Sequence, residues 1–170
     1  VVLLSHFGEP RSHLAIIRAF TLDRKIVNSL WGDMRTETLP VLLYQTCDGK
    51  LDAIKALVLN KSADDFVRSS AMDALTLAVF KGAAKREEIL DFFGGLFTGT
   101  EADKPSDFWS CLASSATDLW PQEILPTLKK AYEDGLVCTG FIAWDNIEET
   151  VAEPKEVWLA KEKERVERRI

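Results

Sequence analysis

Histidine and cysteine are scarce in this chain, two and three among 170 residues. Cys47, Cys111 and Cys138 stand far apart with no C-x-x-C pair, and His6 and His13 are distant in sequence from all three. A structural zinc site draws four such ligands at short paired spacings, so neither a metal nor another cofactor is expected. The thiols read instead as free, buried groups in a reducing compartment, which makes the cytoplasm the expected location. Long apolar runs are missing too. The longest nearly apolar stretch, residues 135–144, has ten residues and contains Thr139. A membrane-spanning helix needs about 20, so no membrane is expected as a partner. No basic segment precedes an apolar run near Val1, and no secretory signal is read there. Alternation of period two is absent and β-branched clusters are short, which argues against a sheet protein. G-x-S-x-G, H-E-x-x-H, P-loop and dinucleotide fingerprints are all lacking, which removes every specific argument for an enzyme.

What is present is helical. An apolar share of 46% and a charged share of 28% suit a globular chain able to bury a real core. Glycine and proline cut the sequence into short segments with third-and-fourth apolar spacing. Helices are predicted over 11–20 and 23–31. Another is capped by Thr36 or Thr38, with Pro40 in its first turns, and runs to Cys47. Leu51, Ile54, Leu57 and Val58 stripe the next. Asp64 or Asp65 caps a long helix closed by Gly82, and Ile89, Phe92, Phe93, Leu96 and Phe97 stripe another despite Gly94 and Gly95. Ser106 caps a helix over 108–120. Pro121 starts one that Pro126 should bend and Asp134-Gly135 should end, and a last one is expected over 141–151. Val1-Val2-Leu3-Leu4 opens without Met or a capping residue, which predicts a helix cut into and residues upstream. The tail 161–169 carries eight charges in nine residues, with Glu164 and Arg168 a favourable i,i+4 pair, and reads as a solvated helical extension.

A 42-residue echo links two helix starts. Asp65 and Phe66 precede Asp107 and Phe108 by that interval, and Ala71, Ala74 and Leu77 keep step with Ala113, Ala116 and Leu119. Periods of about 20–50 residues point to stacked supersecondary units. Short connectors make sequence neighbours pack as antiparallel helix pairs. The expected fold is all-α: an α-α superhelix, a solenoid of such pairs over residues 1–153, with a charged helical extension over 154–170.

The string formed by Asp65, Val67, Arg68, Ala71, Ala74 and Leu75 resembles the second helix of a HEAT-like repeat. The Pro126 helix is similar to the proline-bearing first helix of such units. More broadly the chain resembles an uncharacterised bacterial family of HEAT-like proteins, a domain of unknown function. Four segments carry that likeness: Trp31-Gly32-Asp33-x-x-Thr36-Glu37-x-Leu39, Asp48-Gly49-x-Leu51, Asp65-Phe66-Val67-Arg68 and Glu133-Asp134-Gly135-Leu136-Val137. The resemblance implies a fold without an established activity. It implies structural roles for Asp65 and Arg68, bonding across adjacent repeats, with an Arg that lines a binding groove as the alternative. Some longer relatives append a cysteine-rich zinc module, and nothing up to Ile170 matches it.

Charge is unevenly spread. Residues 86–153 hold 14 acidic and 4 basic side chains, against 9 and 11 in residues 1–85. An acidic half repels phosphates, so nucleic acid is not an expected partner, whereas a basic protein or peptide is. Glu148 and Glu149 are the exposed carboxylates placed on that acidic face. Asp33, Thr36 and Glu37 could bind a cation or share a proton, although helix capping is the favoured explanation, and Arg35 between them could neutralise the pair or bind a ligand. Trp31 and Trp158 border polar segments and could anchor a partner, while Trp109, Trp120 and Trp144 read as core. His6, His13 and Glu9 flank one turn and form a candidate acid–base cluster. The reading is a non-catalytic scaffold that binds a protein or peptide. The alternative is an enzyme using acidic groove residues, hydrolytic or metal-assisted, and a HEAT-like nucleic-acid module would need a basic concave stripe.

Overall fold

A computed structural model describes residues 8–168, apart from the side chains of Arg24, Asn28 and Glu167. His6 and the expected opening helix lie outside the described residues. Within them the chain forms eleven α-helices and two 3-10 turns and no strand, as the missing period of two requires. The chain divides into two compact units, Val1–Ala83 and Ala84–Ile170.

The first unit contains a 3-10 turn at Pro10–Ser12, then α1 (His13–Phe20), α2 (Arg24–Trp31), α3 (Met34–Glu37), α4 (Leu39–Thr46), α5 (Asp52–Leu59) and α6 (Asp65–Phe80). Helix α6 is its centre and packs against α3, α4 and α5. It starts where Asp64 adopts extended backbone and its carboxylate accepts the Phe66 N–H at 3.0 Å. Ala71, Ala74 and Ala78 are fully buried beside Val67, Met72 and Leu75. Ala71, Ala74 and Ala78 share one face, at i, i+3 and i+7, and let a neighbouring helix approach closely, while buried Met72, Leu75 and Leu77 extend the core around the helix. Arg68 lies in this core at 1% exposure and donates from Nε to the Val58 carbonyl of α5 at 2.8 Å. That bond joins α6 to the helix just before it.

Thr36 and Thr38 depart from their expected capping roles. Thr38 precedes α4 with φ −106° and ψ −37° and makes no side-chain cap, because an N-cap hydroxyl reaches the free amides from extended backbone. Thr36 donates its hydroxyl to the Asp33 carbonyl at 3.2 Å. Pro40 sits in the first turn of α4, where its missing N–H costs little.

The second unit contains α7 (Arg86–Gly94), α8 (Asp107–Asp118), a 3-10 turn at Gln122–Ile124, α9 (Leu125–Glu133), α10 (Trp144–Ala152) and α11 (Lys155–Glu167). Ser106 caps α8 by accepting the Phe108 N–H at 3.1 Å, the same geometry that Asp64 gives α6. The 42-residue echo is therefore a pair of equivalently capped helices whose matching Ala71/Ala113, Ala74/Ala116 and Leu77/Leu119 are all buried. The position matching Arg68 is Ser110, and its hydroxyl accepts the Cys138 N–H at 3.0 Å.

Pro126 falls in the first turn of α9 and so has no helix interior to bend; the 3-10 turn after Pro121 takes up the redirection. Gly135, with φ +67°, ends α9 as expected, and its neighbour Leu136 donates back to the Ala131 carbonyl at 2.9 Å. The last expected start moves from 141 to Trp144, because Phe141 turns back onto the Cys138 carbonyl at 2.9 Å. Cys138 is exposed, unlike Cys47 and Cys111.

Gly94 has a packing reason to lack a side chain. A Cβ there would stand 2.8 Å from Ile124 Cγ2, on a branched carbon that cannot swing aside. Gly94→Ala is expected to cost about 1–2 kcal/mol through overpacking, although alanine in an open helix interior gains about 1 kcal/mol over glycine. A urea melt decides between the two signs, and stabilisation would show that α7 and the 3-10 turn can separate freely.

Candidate functional site

Three helices of the second unit enclose a groove of 780 Å³. Helix α8 contributes Ser114, Thr117 and Asp118, and α10 contributes Asn146, Glu149 and Thr150. Helix α11 adds Trp158 and Glu162, with Phe141, Ile142 and Glu153 at the connections. Its walls are held by a few specific bonds. The Trp158 indole donates to the Thr117 carbonyl at 3.1 Å, and Arg165 reaches Asp118 at 2.8 Å and Glu162 at 2.5 Å. Burial lowers the Arg165 pKa, but Asp118 and Glu162 outweigh it and leave the guanidinium above its ordinary value. The Trp120 indole donates to the Glu153 carbonyl at 3.0 Å and pins the C-terminal end of α10.

Trp120 is itself clamped. Its φ of +57° is left-handed, a conformation that costs a bulky residue roughly 1–2 kcal/mol. Arg86, only 6% exposed, donates to the Trp120 carbonyl at 2.5 Å and to the Leu119 carbonyl at 2.6 Å. It also grips Glu123 as a fork, at 2.8 and 2.7 Å. These bonds hold the Glu123 carboxyl below its ordinary range against the opposing effect of burial. One buried arginine therefore fixes the corner from which the Trp120 indole reaches the groove.

The groove surface is mixed. Phe141 is 52% exposed and Trp158 half-buried, which leaves aromatic area open. Four carboxylates face it: Asp118, Glu149, Glu153 and Glu162. Arg165 balances part of that charge, and Lys161 contacts Glu153. Glu149 is exposed and forms no ion pair among the described residues.

Of the residues marked from sequence, Glu149 lines this groove and Glu148, exposed beside it, does not. Successive helical residues point about 100° apart, so one face cannot hold both. Trp31 is half-buried, stacks on Phe20 with ring centroids 4.8 Å apart and donates to the Ala19 carbonyl at 3.1 Å. Asp33, Thr36 and Glu37 gather at α3, and the Arg35 between them turns to Asp64 at 3.0 Å and lies over the Phe66 ring. Asp65 and Asp107 occupy first turns, and Val67 is core.

The histidine cluster is not assembled between His13 and Glu9. Glu9 is held by Arg11 at 2.8 and 2.9 Å, and those bonds bring its carboxyl down to about 2. His13 is buried, which lowers its pKa, and its Nδ1 pairs with the Thr46 hydroxyl at 2.9 Å. Among the described residues no group of three or more His, Cys, Asp or Glu could hold a metal ion, and no helix is long and apolar enough to cross a membrane. Trp109 is fully buried, whereas Trp120 and Trp144 are half-buried.

Asp118, Glu153 and Glu162 went unmarked in the sequence because two separate helices and a connection supply them. The i,i+4 spacing of Trp158 and Glu162 was the one local signal that could have pointed to this face.

Fold and site together define an all-helical protein with an acid-rimmed, partly aromatic groove. The whole chain, residues 1–170, matches the family described as "Protein of unknown function (DUF1186)", and the chain belongs to that family. It is 30% identical over 151 residues to a protein of Chlamydia trachomatis serovar D and 28% identical over 151 residues to one of Chlamydia muridarum, each given as "Uncharacterized protein". Both alignments cover 89% of this chain and 60% of the relative, so the chain spans less than two thirds of the curated relatives it matches. No solved structure matches.

Proposed function

We propose that the chain is a non-catalytic helical-repeat scaffold whose second-unit groove holds a basic peptide segment of a partner protein. The observation that carries this reading is the company of open aromatic surface, Phe141 and Trp158, with four carboxylates, one of them Glu149. Aromatic area supplies the contact energy and the carboxylates choose the sign of the partner. The same carboxylates repel a phosphate backbone, which weighs against nucleic acid. The equivalent caps and buried alanines of α6 and α8 support a HEAT-like repeat of helix pairs, and a superhelical stack of such pairs is part of this reading. Three free cysteines fit a cytoplasmic setting.

A fluorescent peptide alternating Lys and Leu tests the reading against its Glu and Leu counterpart, by anisotropy on the full chain. The basic peptide should bind more tightly and weaken as salt rises, since exposed charges are screened within about 8–10 Å at physiological ionic strength. Glu149→Lys should weaken it roughly fivefold, the upper end of the effect of one exposed pair. Equal affinity for both peptides would overturn the reading.

A further inference from the structure

The groove carries cations of its own, and the two are not alike. Arg165 bridges Asp118 and Glu162, whose side chains are 23% and 11% exposed, and so ties α11 to α8. Among the described residues Lys161 reaches Glu153 alone; the lysine is 61% exposed and the glutamate 26%. A guanidinium holding two half-sheltered carboxylates is part of the wall, and removing it would leave both uncompensated. An ammonium on a flexible four-carbon stem, paired once and largely in water, leaves its partner at little cost.

Glu153 does not depend on Lys161 for its place. Its carbonyl accepts the Trp120 indole at 3.0 Å, and the Trp120 carbonyl is in turn held by Arg86. The backbone under this carboxylate is therefore fixed before any cation arrives, which lowers the ordering cost of binding there.

We propose that Glu153 is a cation subsite of the groove and that Lys161 is its built-in competitor, an internal stand-in for a Lys or Arg of the incoming peptide. The inference rests on the peptide-groove reading above. A peptide must displace the Lys161 amine to reach Glu153, so taking away a positive charge at this position strengthens binding through the subsite itself. Lys163, exposed on the same helix, offers the matched control. Its removal changes the net charge equally without touching Glu153.

The test uses the full chain, the same Lys and Leu peptide and one fixed salt concentration. Lys161→Gln should bind roughly threefold more tightly than wild type, of the order expected for freeing one exposed pair. Lys163→Gln should gain clearly less, and adding Glu153→Gln to Lys161→Gln should cancel the gain. Thermal melts confirm that the variants keep the fold. If wild type binds the peptide and Lys161→Gln gains no more than Lys163→Gln, the subsite is overturned while the groove stands. If no variant binds the peptide at all, both fall.

Discussion

Trp109→Ala is expected to remove about 4 kcal/mol of folding stability, within the range of about 3–5 kcal/mol for emptying a buried tryptophan site. The ring is fully buried in α8 and meets Phe108 edge-on, with centroids 5.2 Å apart. Its indole donates to the Asp103 carbonyl at 3.1 Å and so ties the loop before α8 to the helix. Truncation opens a cavity that surrounding helices cannot close and leaves that carbonyl without its donor. Trp109→Phe keeps most of the volume and loses the bond, and should cost about 1–2 kcal/mol. Urea melts followed by circular dichroism measure both, read from the midpoint at constant m value. A loss under about 1 kcal/mol for the alanine variant would mean that α8 is not packed as described.

Arg86→Ala should cost about 3 kcal/mol, and most of that loss should come from backbone groups rather than from the ion pair. Glu123 is 48% exposed and can turn to water when the guanidinium goes. The Leu119 and Trp120 carbonyls are less free to do so, because Trp120 is held in a left-handed conformation that the arginine helps to maintain. Glu123→Gln should therefore cost about 1 kcal/mol or less, while Arg86→Lys, with one point charge for the Leu119 and Trp120 carbonyls and the Glu87 and Glu123 carboxylates, should recover only part of the loss. The sign of the pH effect follows from Glu123. Its folded pKa is depressed, so its contribution is present above the unfolded value of 4.5 and is lost as the pH falls below it. Wild type and Glu123→Gln should converge in that acidic window. A Glu123→Gln loss as large as that of Arg86→Ala would show that the pair itself dominates.

These two residues also mark how far the chain could be read in one dimension. Trp109 was recognisable as core, since it follows a capping serine on an apolar stripe, and local spacing decides burial in an amphipathic helix. Arg86 was not, because nothing in a Lys-Arg-Glu-Glu sequence distinguishes a buried guanidinium from a solvated one. Apart from the neighbouring Glu87, its acceptors arrive from residues more than 30 positions away.

Sequence alone determined the helical class, the positions of α5 and α6, the equivalent starts of α6 and α8, and the glycine that ends α9. Each rests on contacts within one turn or one helix, where periodicity, capping and left-handed glycine act locally. Tertiary structure decided what surrounds those helices. It turned Pro126 from a bend into a helix start by placing a 3-10 turn before it, and it set Glu149 and not Glu148 against the groove. It also joined Asp118, Glu153 and Glu162 into one rim. Carboxylates carry no periodic signature of the face they share, because the water that solvates them imposes no spacing, and only the packing of α8, α10 and α11 brings them together.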